Sequence, residues 1–248
     1  MTKRAFLVLL ALLVAGCGSG GGGSTAPTSA QPSGNGVESL GAKDIVARSV
    51  QTLKDGRSAH LTGQTSSDGQ TVTMDLAMDT TGNCAGTVSQ TDQGTFKLVK
   101  LGKQVWVKPD AAFWQTHGGP ATAQLVGDKY LKTSSDNPDF AQLASVCDLN
   151  TLADSIGSVD TVTTGGRTTV NGTDAVALNG TKGADSGTVY VAVTGKPYPL
   201  RIEKSGGKLD FKDFGTPVPT TTPSPDQSID LDELNRETTS QSPSASAA

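Results

Sequence analysis

An α+β fold, with segregated helices covering one face of a large antiparallel sheet, is predicted by the order in which hydrophobic periodicity changes along the chain. One stretch of 3.6-residue period comes first, period-two stretches follow, a second helical stretch interrupts them, and period two then returns. Ala42, Ile45, Val46, Ser49, Val50 and Leu53 fall on one face of a helix that Ser39 is expected to cap and Gly56 to end. From His60 onward the period is two: Val72, Met74, Leu76 and Met78 alternate with Thr71, Thr73, Asp75 and Asp79, the pattern of a half-buried strand. Phe96 and Leu98, Val105 and Val107, Val176 and Leu178, Val189 to Val193, Leu200 and Ile202, and Leu209 and Phe211 mark further strands. Turn signals at Asn171-Gly172, Gly195-Lys196 and Gly206-Gly207 separate the later ones. In the middle, Asn137-Pro138 opens a helix through Phe140, Leu143, Ala144 and Cys147, with Leu149, Leu152 and Ile156 extending it or forming a second one.

The two ends of the chain read differently. Lys3-Arg4, an apolar run over residues 5–14, and then Ala15-Gly16-Cys17 form a bacterial lipoprotein signal. The apolar run is too short for a permanent membrane span, and the small residues let a peptidase reach the bond before Cys17. That cysteine would carry a diacylglyceryl group, and two buried chains anchor stably where one does not. The other reading is an ordinary secretory signal with an incidental cysteine; Val14, where leucine is commoner, departs mildly from the lipoprotein pattern.

Residues 1–16 are thus the expected signal peptide, and residues 17–36 a lipidated cysteine with a tether of Gly, Ser, Thr, Ala and Pro reaching about 25 Å. The G-x-G-x-x-G match at Gly18, Gly20 and Gly23 has neither strand nor helix beside it and is no nucleotide site. Residues 37–215 make one domain, large enough to bury a core. Residues 216–248 read as a disordered Thr/Pro/Ser-rich acidic tail, with residues 229–234 as a short acidic helix in the alternative. Of the net charge of −4, the tail carries −4, Lys3 and Arg4 +2 and the domain about −2, and the arginines are scattered, so no basic patch points to nucleic acid.

Four segments together suggest a family. Residues 105–114 (VWVKPDAAFW), 129–132 (KYLK), 138–140 (PDF) and 195–202 (GKPYPLRI) resemble, in this order, the actinobacterial LppX/LprG-type lipoproteins, which share the LolA/LolB-like fold. The likeness runs from Ala42 to Phe214; Tyr130 stands where such proteins often carry tryptophan. The resemblance implies a strongly curved antiparallel sheet, an incomplete barrel wrapped around a few helices. Between sheet and helices it implies an apolar cavity for acyl chains of a lipid or glycolipid, carried within the cell envelope. Val72, Met74, Leu76, Met78, Phe96, Leu98 and Val107 are the candidate cavity wall, methionine being suited to irregular lipid-filled space. Plain core packing is the other reading of the same residues, as it is for Trp106 and Trp114.

With Cys17 lipidated, Cys84 and Cys147 are the remaining thiols, and outside the membrane they are expected to pair. Two free buried cysteines are the alternative. His60 and His117 are the two histidines, neither with a second ligand at short spacing, and no H-E-x-x-H, C-x-x-C or G-x-S-x-G occurs. No catalytic residue, metal or cofactor is therefore expected. Two non-enzymatic roles remain. One is a lipid carrier held to the outer face of the cell membrane by its anchor. The other is an envelope sensor or scaffold whose acidic tail or convex sheet face meets another envelope protein.

Overall fold

A computed structural model describes residues 34–67 and 69–240; Cys17, the signal and most of the tether lie outside them. The first helix, α1 (Ala42–Gly56), buries Ile45, Val46, Ser49 and Leu53, the face that the 3.6 spacing marks out. It ends at Gly56, as expected, but its start differs. Ser39 sits in a short 3-10 turn with its hydroxyl on the Gly36 carbonyl, and extended Leu40 and Gly41 intervene before the helix, so Gly41 takes the N-cap position. The left-handed residue at the other end is Arg57, at φ 64°.

Strands β1 (Ser58–Ser67), β2 (Gln70–Asp79), β3 (Cys84–Gln90), β4 (Gly94–Leu101) and β5 (Gln104–Pro109) follow as one antiparallel meander. A hairpin of α2 (Ala111–His117) and α3 (Gly119–Val126) leads to β6 (Tyr130–Ser134), which pairs with β5. Asp110 caps α2 by accepting the Phe113 amide at 2.9 Å. After α4 (Pro138–Ser145) and α5 (Leu149–Gly157) comes a second meander of β7 (Thr161–Val170), β8 (Thr173–Lys182), β9 (Asp185–Ala192), β10 (Pro199–Lys204) and β11 (Gly207–Lys212). Asn137 caps α4 and Asp148 caps α5, as Asn137-Pro138 foretells for the first. Hydrogen bonds from the Thr151 hydroxyl, and then from the Thr151 and Asn150 amides, hold the Asp148 carboxyl below its ordinary pKa.

The two meanders join where β11 pairs with β1, giving an open sheet in the order β12-β6-β5-β4-β3-β2-β1-β11-β10-β9-β8-β7. Glycine permits close strand contacts where the sheet coils. A Cβ on Gly63, at φ +141°, would lie 2.2 Å from the Lys208 carbonyl oxygen, and one on Gly86, at φ +154°, 2.0 Å from that of Asp75. Helices α1, α4 and α5 cover one face, called the inner face below, and the buried core lies between them. Cys84, the first residue of β3, is bridged to Cys147, just after α4, with Cα atoms 5.3 Å apart. The bridge ties the middle helices to the sheet, the pairing expected of these two thiols.

Both ends of the domain depart from the sequence reading. At the end of the tether, Gly34 bridges Thr194 and the Asn35 amide donates to the Val193 carbonyl at 2.7 Å. Beyond Gly215, in what reads as a disordered tail, Val218 is buried, Ser228–Asp230 forms β12 and Leu231–Ser240 forms α6. β12 adds in parallel to the edge strand β6, helped by Lys132 Nζ donating to Asp230 at 2.8 Å and the Thr133 hydroxyl donating to Asp232 at 3.0 Å. The acidic stretch thus finds its partners on this chain's own sheet edge, an arrangement that composition does not reveal and that covers unpaired backbone groups.

Candidate functional site

The register places all seven candidate wall residues on the inner face. Leu61, Leu76, Gly86, Leu98 and Val107 align as one row across β1 to β5. Met78 lies in the row on one side of it, with Ala59 and Cys84. Leu76, Met78, Leu98 and Val107 are sealed in the core. On the other side of that row the cover thins. Phe96, Val88, Met74 and Gly63 align there, and the line continues past β1 through Leu209, Ile202 and Val189. Phe96, Met74, Leu209, Ile202 and Val189 are only half-buried, as is Val72 one row farther out. This open apolar row crosses the strands from β4 to β9, and at about 4.8 Å per strand spacing it is roughly 29 Å long.

Each end of the row has a distinct character. At the β4 end Phe113 of α2 stands edge-on to Phe96, with ring centres 5.2 Å apart, and meets Trp114 at 5.0 Å and His117 at 4.7 Å. At the β9 end the row enters a cleft between the helices and the second meander, floored by Val46, Ile156, Val162, Leu178, Val189 and Ile202. Its empty space is ≈ 600 Å³ counting the open mouth, of which ≈ 80 Å³ admits the centre of a water molecule. Ser158, Lys182, Asp185 and Lys204 stand at the rim.

None of the seven candidate residues lines this cleft. Their half-buried members, Val72, Met74 and Phe96, belong to the row leading away from it. Val162 was not singled out by sequence, and Val46 and Ile156 were read as helix-face positions rather than as part of a site. The alternation that marks Val189 and Ile202 as strand residues does not say which helix covers them. Trp106 points to the outer face and is buried there, whereas Trp114 is half-buried on α2 with its Nε1 buried and without a hydrogen-bond partner among the described residues.

Other polar clusters lie on the outer face. His60 Nε2 is 2.5 Å from Asp75 Oδ1 and its Nδ1 3.4 Å from Asp213 Oδ2. Arg201 grips Asp210, with Nε to Oδ1 at 2.5 Å, and the Tyr190 hydroxyl donates to Glu203 at 2.8 Å, which raises the tyrosine pKa. These contacts staple neighbouring strands together. Among the described residues no group of three or more His, Cys, Asp or Glu side chains is placed to hold a metal ion, and no helix is long and apolar enough to cross a membrane.

Among solved structures, LprF from Mycobacterium bovis is similar with a TM-score of 0.54 at 15% identity, over 74% of this chain and 97% of that one. The Mycobacterium tuberculosis lipoprotein LppX gives 0.49 at 15% identity, over 73% and 98%. The Pseudomonas aeruginosa MucA/MucB complex gives 0.32 at 16% identity, over 75% and 59%. No family model matches the chain, and no curated protein matches its sequence. The likeness to LprF spans nearly all of that protein, so the fold of this chain is the LppX/LprG-type fold, an open curved sheet wrapped on one face around helices.

Proposed function

We propose that this chain is a membrane-anchored extracytoplasmic lipoprotein that binds the acyl chains of a lipid or glycolipid on its inner sheet face and carries them within the cell envelope. The open apolar row from Phe96 to Val189 is the observation that carries this reading. A packed core has no reason to leave five large apolar side chains of one row half-covered, whereas a surface that shields an acyl chain does. Length agrees: the row is about as long as the ~30 Å hydrocarbon thickness of a whole bilayer, so one extended chain fits along it. The cleft's ≈ 80 Å³ is below the roughly 300–1,000 Å³ of a closed ligand pocket, so the cleft does not enclose an acyl chain, which lies along the row instead. Each methylene removed from water contributes about 0.8 kcal/mol, and no covalent chemistry is needed.

The test combines composition with a space-filling variant. Mass spectrometry of an organic extract of the purified protein is expected to show a bound lipid. Met74→Trp is expected to remove that lipid with little loss of stability, because the ring takes volume the acyl chain had used. Overpacking a solid core would instead cost about 1–3 kcal/mol with no ligand to lose. A lipid-free protein that takes up no fluorescent acyl probe and whose Met74→Trp variant simply melts earlier would leave the envelope sensor or scaffold role in its place.

Anchoring is proposed at Cys17. Cys17→Ser is expected to move the protein from the membrane fraction to the soluble one, or to leave an unprocessed precursor. An unchanged, processed membrane fraction would remove the anchor from the reading.

A further inference from the structure

We propose that the cleft at the β9 end of the row is the seat of an anionic lipid headgroup, held by Lys182 and Lys204 while the acyl chain runs along the row; this rests on the acyl-binding reading above. The sheet register puts both lysines on the inner face. Lys204 continues the inner positions of β10 beyond Ile202, and Lys182 those of β8 beyond Leu178. Apolar floor and cationic rim therefore follow one another along the same two strands, the order in which tail and head follow in an amphiphile. Lysine suits this boundary, since its methylene stem covers apolar surface and its ammonium stays in water.

The space beside Lys204 is kept bare. Its cross-strand partners on the two sides are Gly187 and Gly207. A Cβ on Gly187 would lie 3.1 Å from Lys204 Cγ and 2.8 Å from the Glu203 carbonyl oxygen, so any side chain there would crowd the stem. Glycine inside a strand marks such close approach.

The ammonium groups remain available. Lys204 is exposed and makes no ion pair among the described residues. Lys182 Nζ donates to Ser158 Oγ at 2.8 Å, which steadies it at the rim and leaves further protons to donate. Of the neighbouring carboxylates, Asp160 accepts the Gly183 amide at 2.8 Å and Glu203 accepts from Tyr190 on the outer face. Asp185 stands opposite Lys182 in the β8–β9 hairpin, in no ion pair with either lysine.

The full chain carrying Cys17→Ser, freed of co-purified lipid, is loaded with an uncharged fluorescent acylglycerol. Lysophosphatidylglycerol and lysophosphatidylcholine of one acyl length, both below their micellar concentrations, then compete for it. The anionic lipid is expected to win by about tenfold, the size of two solvent-exposed charge contacts, and the margin should shrink with salt. Lys182→Gln with Lys204→Gln should bring the two lipids to within about twofold of each other, the loss falling chiefly on the anionic one, both side chains being exposed. Equal competition in the unaltered chain, or a preference that survives the double variant, would overturn the headgroup seat while leaving acyl binding intact. Failure of the probe and both lipids to bind would overturn the two together. Displacement by glycerol phosphate alone at the same concentration would show a free-phosphate site in place of a lipid one.

Discussion

Replacing Cys84 and Cys147 together by alanine is expected to lower the stability of the domain by about 4 kcal/mol. The bridge closes a loop of 63 residues, and both cysteines are fully buried, so its loss frees the unfolded chain and removes packing atoms at once. Its Cα separation of 5.3 Å lies inside the range that disulfides ordinarily occupy. Urea unfolding with and without reductant measures the effect, and alkylation under denaturing, non-reducing conditions should label neither residue. Quantitative labelling of both, or identical curves in the two conditions, would show that the bridge does not hold the protein. The expected damage is local in origin: it releases the α4–α5 pair from the sealed half of the inner face, beside Met78 and Leu98.

Leu53→Ala is expected to cost about 3–5 kcal/mol and to lower the melting temperature by roughly 10 °C. Leu53 is 0% exposed in the face that α1 lays on the sheet, where truncation leaves a cavity that the surrounding strands cannot close. Leu125→Ala is the matching control. That side chain is 81% exposed on α3, and its truncation should change stability by no more than about 0.5 kcal/mol. Thermal unfolding of the two variants side by side checks both. Similar losses would mean that α1 does not carry the core.

How much of this was legible in the sequence differs by element, for physical reasons. The apolar face of α1 and the alternation in β2 could be read directly, because each keeps one apolar face in register along its length. β3 escaped notice, since its inner positions are Cys84, Gly86, Val88 and Gln90 and supply little hydrophobic signal. β7 is a threonine- and glycine-rich edge strand, mostly exposed, and α2 and α3 contain no charged residue to contrast with an apolar face. The likeness read from residues 105–114, 129–132, 138–140 and 195–202 pointed to the fold that the structure has. Within the candidate site, Met74 and Met78 look alike in sequence, yet one is half-buried and the other sealed. Only the docking of the helices separates them. The cleft floor was still less accessible, because Val46, Val162 and Ile202 meet through the pairing of distant strands rather than through any local spacing.

The pairing of β1 with β11 also governs the order in which the polypeptide can be assembled. β1 begins the sheet and β11 is the last strand of the second meander, so the seam between them is the contact of greatest sequence separation in the sheet, and loop-closure entropy makes such a contact late. The first meander can form from local hairpins alone. Until β11 arrives, β1 is then its open edge, a row of unpaired amides and carbonyls with Leu61 beside it, and therefore a template for pairing with another nascent chain. A chain cut short before residue 207 would keep that edge permanently. Such a product would persist as an aggregation-prone half-sheet, so productive folding turns on the closing of this one seam.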